Sequence, residues 1–106
     1  MVSVGGAVLA LLTLSGCGGI DGKIANYDSV AVWPNANPIG SQPEQQLTTL
    51  TPITVDCYEP GKTDASGYGY GATYKISYDG GSGYIDASTS ITSDDGEVTP
   101  EMVSEC

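Results

Sequence analysis

Residues 72–87 read ATYKISYDGGSGYIDA, and their pattern decides the fold class. Tyr74, Ile76 and Tyr78 fall on one side of an extended chain while Thr73, Lys75 and Ser77 fall on the other, the period of two that marks a half-buried strand. Asp79, Gly80, Gly81 and Ser82 follow. Glycine adopts positive φ without steric cost, so this run predicts a tight reversal of the chain. Residues 83–87 then return as the second arm. The expectation is a β-hairpin at the centre of a small all-β domain.

Composition points the same way. The chain has 15 Gly, one Trp and no Phe, so Val, Ile, Leu and Tyr must build the core, and abundant Gly, Ser and Thr favour turns and strands over helices. Its 106 residues allow one domain at most, of a size at which a single core is marginally stabilising without a staple. Three basic residues against 13 acidic ones leave a net charge of −10. That excludes nucleic acid as a partner, because phosphate contacts need a basic footprint, and it disfavours adhesion to anionic lipid headgroups.

Working outward from the hairpin, Ile53, Val55 and Cys57 alternate with Thr54, Asp56 and Tyr58, which predicts a strand with Cys57 on its apolar face. Further upstream, Val30 to Trp33 reads as a short first strand ended by Pro34, and residues 35–46 as a long polar loop. Between the two clearer strands, residues 63–71, TDASGYGYG, interleave Tyr68 and Tyr70 with glycines, the composition of a mobile loop. Downstream, Thr99 and Pro100 suit the N-cap and first position of one short terminal turn.

Tyr74-Lys75-Ile76, the turn and Gly83-Tyr84-Ile85, preceded by LTPITVDCY at 50–58 and by Val30-Ala31-Val32-Trp33-Pro34, together resemble the bacterial SH3-like (SH3b) family of extracytoplasmic domains. Tyr74 stands where that family usually carries Trp. The resemblance covers residues 27–91. It implies a small SH3-like barrel of about five short strands within a domain at 27–106, and recognition of cell-wall peptide or glycan.

The first residues carry a second resemblance. Residues 7–14, AVLALLTL, are too few to span a bilayer, which takes about 20, but they suit the core of a signal peptide. Leu14-Ser15-Gly16-Cys17 resembles the bacterial lipobox. That implies a lipoprotein signal peptide at 1–16, cut after Gly16, and lipid on the Cys17 thiol, although residues 1–6 lack the basic start of an export signal. Residues 17–26, the lipidated cysteine followed by GGIDGKIAN, read as a flexible tether with a mean reach of about 15 to 18 Å. The chain is then an extracytoplasmic protein of a bacterium or its phage, anchored to the bacterial membrane.

Cys57 and Cys106 remain once Cys17 carries lipid. Export places them in an oxidising compartment, where a disulfide between them closes a loop of about 50 residues and contributes roughly 4 kcal/mol in the chain-entropy model. Catalysis is not expected: there is no His, hence neither the commonest zinc ligand nor the commonest general base, and no nucleophile elbow or phosphate loop is present. Asp94-Asp95-Gly96-Glu97 lacks the spaced ligands and late glutamate of a calcium loop. With no cofactor and no metal in view, the chain reads as a monomeric binding module. Flat rings on loops are its candidate ligand-binding residues: Tyr68 and Tyr70 first, with Trp33 and Tyr84 beside them. The expected partner is cell-wall peptide or glycan. The alternative is a neighbouring envelope protein, as for the small lipoproteins with which a prophage brings about superinfection exclusion.

Overall fold

The computed structural model describes residues 19–25 and 29–106; the expectations for 1–16 and for Cys17 lie outside them. The described residues form β1 (Ile20–Ile24), β2 (Ser29–Val32), β3 (Gln45–Thr48), β4 (Pro52–Glu59), β5 (Lys62–Thr63), β6 (Gly69–Tyr70), β7 (Thr73–Tyr78), β8 (Gly81–Asp86), β9 (Ile91–Ser93) and β10 (Gly96–Glu97), then a single 3-10 turn at Pro100–Met102. Six of them make one sheet in the order β10-β9-β1-β4-β7-β8, every neighbouring pair antiparallel. The all-β class stands. The sheet is open, however, and not the closed five-stranded barrel: β10 at one edge and β8 at the other do not pair with each other.

The hairpin at 72–87 is β7 and β8. Tyr78 pairs with Gly81, so the reversal takes only Asp79 and Gly80, and the returning arm begins two residues before the expected Gly83. An Asp-Gly pair is sufficient for a two-residue turn. Tyr74, Ile76 and Ile85 are buried on the inner face, joined there by Ile53 and Val55 of β4, Ile24 of β1 and Ile91 of β9.

The expected tether is overturned. Ile20–Ile24 is a strand held between β9 and β4, and Ile24 is completely buried. The chain enters the fold by residue 20, not at 27. Ile20 and Ile24 do alternate with Asp21 and Lys23, but the inward position between them is Gly22, which shows no hydrophobic signal. Gly22 is there for space: a Cβ would lie 2.8 Å from the Thr92 carbonyl oxygen and 2.9 Å from Ile91 Cγ2.

A second correction concerns Cys57. The β4–β7 register runs Ile53↔Tyr78 and Val55↔Ile76, then shifts to Cys57↔Lys75 and Tyr58↔Tyr74. Asp56 is the extra residue of a β-bulge, which turns the remainder of β4 over by one position. Tyr58 therefore takes the inner face, its ring centroid 6.0 Å from that of Tyr74, and Cys57 faces outward opposite Lys75. Asp56 is itself tied to β7, its carboxylate accepting from Ser77 Oγ at 2.7 Å.

The disulfide to Cys106 forms from that outer position, with Cα atoms 5.0 Å apart. Beyond Val55, the edge of β4 is no longer used by β1 and is taken by the C-terminal residues. Tyr58 N donates to Ser104 O and Cys106 N to Tyr58 O, each at 2.8 Å. One covalent bond and two hydrogen bonds thus fasten a short segment that would otherwise fray.

The β2–β3 pair supplies the other wall of the core. Val30, Val32 and Leu47 are buried with the inner face of the sheet. The pair reaches the β8 edge through Trp33, which bridges Tyr84.

Candidate functional site

Trp33 and Tyr84 are brought together by the backbone: Trp33 N donates to Tyr84 O at 2.8 Å and Tyr84 N to Trp33 O at 2.9 Å. This close approach needs Gly83, where a Cβ would collide with Val32 Cγ1 and stand 2.8 Å from Trp33 O. Tyr84 pairs in turn with Lys75, and Lys75 with Cys57. Trp33, Tyr84, Lys75 and the Cys57–Cys106 disulfide therefore form one row across the outer face of the sheet. Trp33 and Tyr84 are half-buried, each with surface left for a ligand.

Tyr68 and Tyr70 lie on the short β5–β6 hairpin, a continuation of β4 and β7 beyond Glu59 and Thr73. The loop carries its own internal hydrogen bonds. The Asp64 carboxylate accepts from the backbone N–H groups of Ser66 and Tyr68, at 2.8 and 3.1 Å, and Asp64 N donates to Tyr68 O at 2.8 Å. Tyr68 at the tip is 77% exposed, whereas Tyr70, opposite Lys62, is half-buried. Among the described residues the close pair of rings is Tyr58 with Tyr74; the four candidate aromatics form no stack with one another.

Of the four candidate aromatics, Trp33 alone lines a small pocket beside the residues that follow β6. Its walls come from Trp33 and the segment after it, Asn35, Ala36 and Pro38, and from Gly71, Ala72, Thr73 and Asp86. Asn35, Thr73 and Asp86 had no signal in the sequence. Strand alternation assigns Thr73 to the outer, wetter face. In the fold residues 33–38 come over it, and it is only 7% exposed.

No family model, curated protein or solved structure matches this chain. The site is therefore interpreted from its own residues.

A larger groove, of about 870 Å³, opens elsewhere between β1, β4 and the β7–β8 turn. Leu50, Pro52 and Tyr78 contribute apolar surface there, and Lys23 lies among Asp21, Asp79 and Asp94. Leu50 is 67% exposed and has a φ of 68°, a strained conformation for a bulky side chain; Leu50 N donates to Ile24 O at 2.7 Å. Separated segments make this groove, so no local motif could announce it.

Electrostatics are simple. Burial pushes the Tyr74 phenol above its ordinary value of 10.0, and Tyr58, Glu101 and Glu97 add to the effect. Exposed Glu101 is lowered by a hydrogen bond to its own backbone and one to Thr99. Among the described residues no group of three His, Cys, Asp or Glu side chains is placed to hold a metal ion, and no helix is long and apolar enough to cross a membrane.

Proposed function

We propose that the chain is a lipid-anchored extracytoplasmic binding module whose aromatic end recognises cell-wall peptide or glycan. The observation that carries this reading is the Trp33–Tyr84 pair: two half-exposed aromatic residues fixed side by side at a sheet edge, next to a mainly apolar pocket to which Asn35 and Asp86 add polar groups. Rings of this kind supply contact area at low entropic cost, and hydrogen-bonding groups beside them set orientation. The resemblance of residues 72–87 to SH3-like extracytoplasmic domains supports it, as does the apolar run ending in Leu14-Ser15-Gly16-Cys17. A disulfide at Cys57–Cys106 fits an oxidising compartment.

The test is co-sedimentation of the full chain with purified wall fragments. Wild type is retained. Tyr84→Ala, and the double variant Tyr68→Ala with Tyr70→Ala, lose more than about 1 kcal/mol of binding, roughly fivefold, as truncated aromatic anchors do. Equal retention of both variants would remove the aromatic end from the site. For the anchor, Cys17→Ser shifts the protein out of the membrane fraction and lowers its mass.

One observation favours a second reading, docking onto a neighbouring envelope protein of the kind used in superinfection exclusion. Only Gly18 and Gly19 separate Cys17 from β1, a span of roughly 7 Å at full extension. A lipid on Cys17 would hold the sheet against the bilayer, within reach of membrane proteins. Crosslinking in cells recovers an envelope protein if this reading is right, and wall fragments then retain nothing.

A further inference from the structure

The groove of about 870 Å³ between β1, β4 and the β7–β8 turn falls within the size of ligand sites, roughly 300 to 1,000 Å³. It shares no residue with the pocket beside Trp33. Leu50 stands in its wall, outside the buried core. That side chain is 67% exposed on a backbone with a φ of 68°, a conformation that glycine or asparagine takes more readily than leucine. Hydrogen bonds fix the position: Leu50 N donates to Ile24 O at 2.7 Å, and Ile24 N to Thr51 O at 3.1 Å. Leucine here carries a steric cost and adds little to the fold. Its apolar surface is open to a partner, together with exposed Pro52 and half-buried Tyr78 in the same wall.

Charge decides the kind of partner. Asp21, Asp79 and Asp94 line the groove against one cation, Lys23, and among the described residues Lys23 forms no ion pair that would neutralise any of them. Anionic ligands and anionic lipid headgroups are repelled. A second copy of the chain would bring the same acidic wall, and its own net charge of −10, against this one. A small cation would use the carboxylates and leave the apolar wall wet. A peptide carrying lysine or arginine beside an apolar residue meets both demands. Its charged head reaches the carboxylates, its methylene stem packs on Pro52 and Tyr78, and the apolar neighbour covers Leu50. Lys23 is left to donate to a peptide carbonyl.

We infer that this groove is a docking site for a peptide segment of a partner protein in which lysine or arginine alternates with apolar residues. The inference does not depend on the wall-binding reading, since Trp33 and Tyr84 take no part in the groove.

The full chain in non-ionic detergent is titrated against labelled, end-blocked hexapeptides at physiological salt, with fluorescence anisotropy as the readout and protein-free micelles as the blank. The peptide of alternating lysine and leucine binds saturably. The glutamate and leucine peptide does not bind, and the lysine and serine peptide binds at least about tenfold more weakly. Leu50→Gly and Leu50→Asn keep or raise the thermal midpoint and weaken binding of the lysine and leucine peptide about fivefold. Asp79→Asn combined with Asp94→Asn weakens it about tenfold and flattens its salt dependence. Glu44→Gln combined with Glu59→Gln makes the same change of charge outside the groove and binds as wild type does. Failure of the lysine and leucine peptide to bind overturns the site, as does equal binding of either comparison peptide. So does an equal loss in the Glu44 and Glu59 variant, which would assign binding to the general field of the chain. Leu50 variants that bind normally, or that both melt lower, overturn Leu50 as an anchor and the site with it. Self-association of wild type that the Leu50 variants abolish, read by sedimentation, would give the groove to a second copy instead.

Discussion

Trp33 and Tyr84 exchange two backbone hydrogen bonds, at 2.8 and 2.9 Å, and this pair attaches the β2–β3 wall to the edge of β8. The attachment depends on Gly83, because a Cβ there would stand 2.8 Å from Trp33 O. Gly83→Ala must push the two strands apart. The expected loss is about 1 to 3 kcal/mol, typical of overpacking, with the Trp33 emission moving to the red as water reaches the ring. A variant with wild-type emission and thermal midpoint would mean that the β8 edge does not need this close approach.

The disulfide is expected to dominate stability. Cys57 and Cys106 are 49 residues apart in sequence, for which loop closure predicts a contribution of about 4 kcal/mol. A Cys57→Ser, Cys106→Ser double variant should melt well below wild type, at about 4 to 8 °C per kcal/mol for a domain of this size. Hydrogen exchange at the Tyr58 and Cys106 amides, both bonded between β4 and the terminal segment, should accelerate first. Unchanged protection there would show that the terminal bridge stands without its covalent tie.

Deleting Asp56 tests the bulge. Without the extra residue, Cys57 follows Val55 directly, so Val55 keeps Ile76 and Cys57 keeps Lys75 as cross-strand partners, and regular alternation leaves Cys57 outside and Tyr58 inside. The deletion variant should therefore still form the disulfide, as should Asp56→Ala, which loses only the Ser77 hydrogen bond. Free thiols in the deletion variant under oxidising conditions, read by alkylation and mass measurement, would show that Asp56 is not the extra residue and that its removal turns Cys57 inward.

Tyr74 gives the fold an alkaline limit. Its phenol is raised above 10.0 in the folded chain, by burial first. The folded state therefore holds its proton to higher pH than the unfolded state does, and stability is lost as pH rises above the unfolded value of about 10. Below that value the group contributes no pH dependence. Denaturant melts between about pH 9 and 11 should show a fall in wild type that is shallower in Tyr74→Phe. An identical slope in both would assign the alkaline loss to other groups.

The sequence by itself determined the all-β class, the central hairpin and its inward residues Tyr74 and Ile76, because alternation and turn chemistry are local properties of neighbouring residues. It also identified the two cysteines that pair. Their geometry was another matter: a bulge is a mismatch between two strands, so the outward turn of Cys57 could not be seen along β4 alone. β1 was hidden for a related reason, its inward position being held by Gly22, whose value is the space it leaves for Ile91 and Thr92. Tertiary structure alone decided that the sheet stays open, that Tyr84 meets Trp33, and that residues 33–38 cover Thr73. Each of these joins residues distant in the chain. Which distant segments meet is settled by the burial of a shared core, and no short window of sequence contains that information.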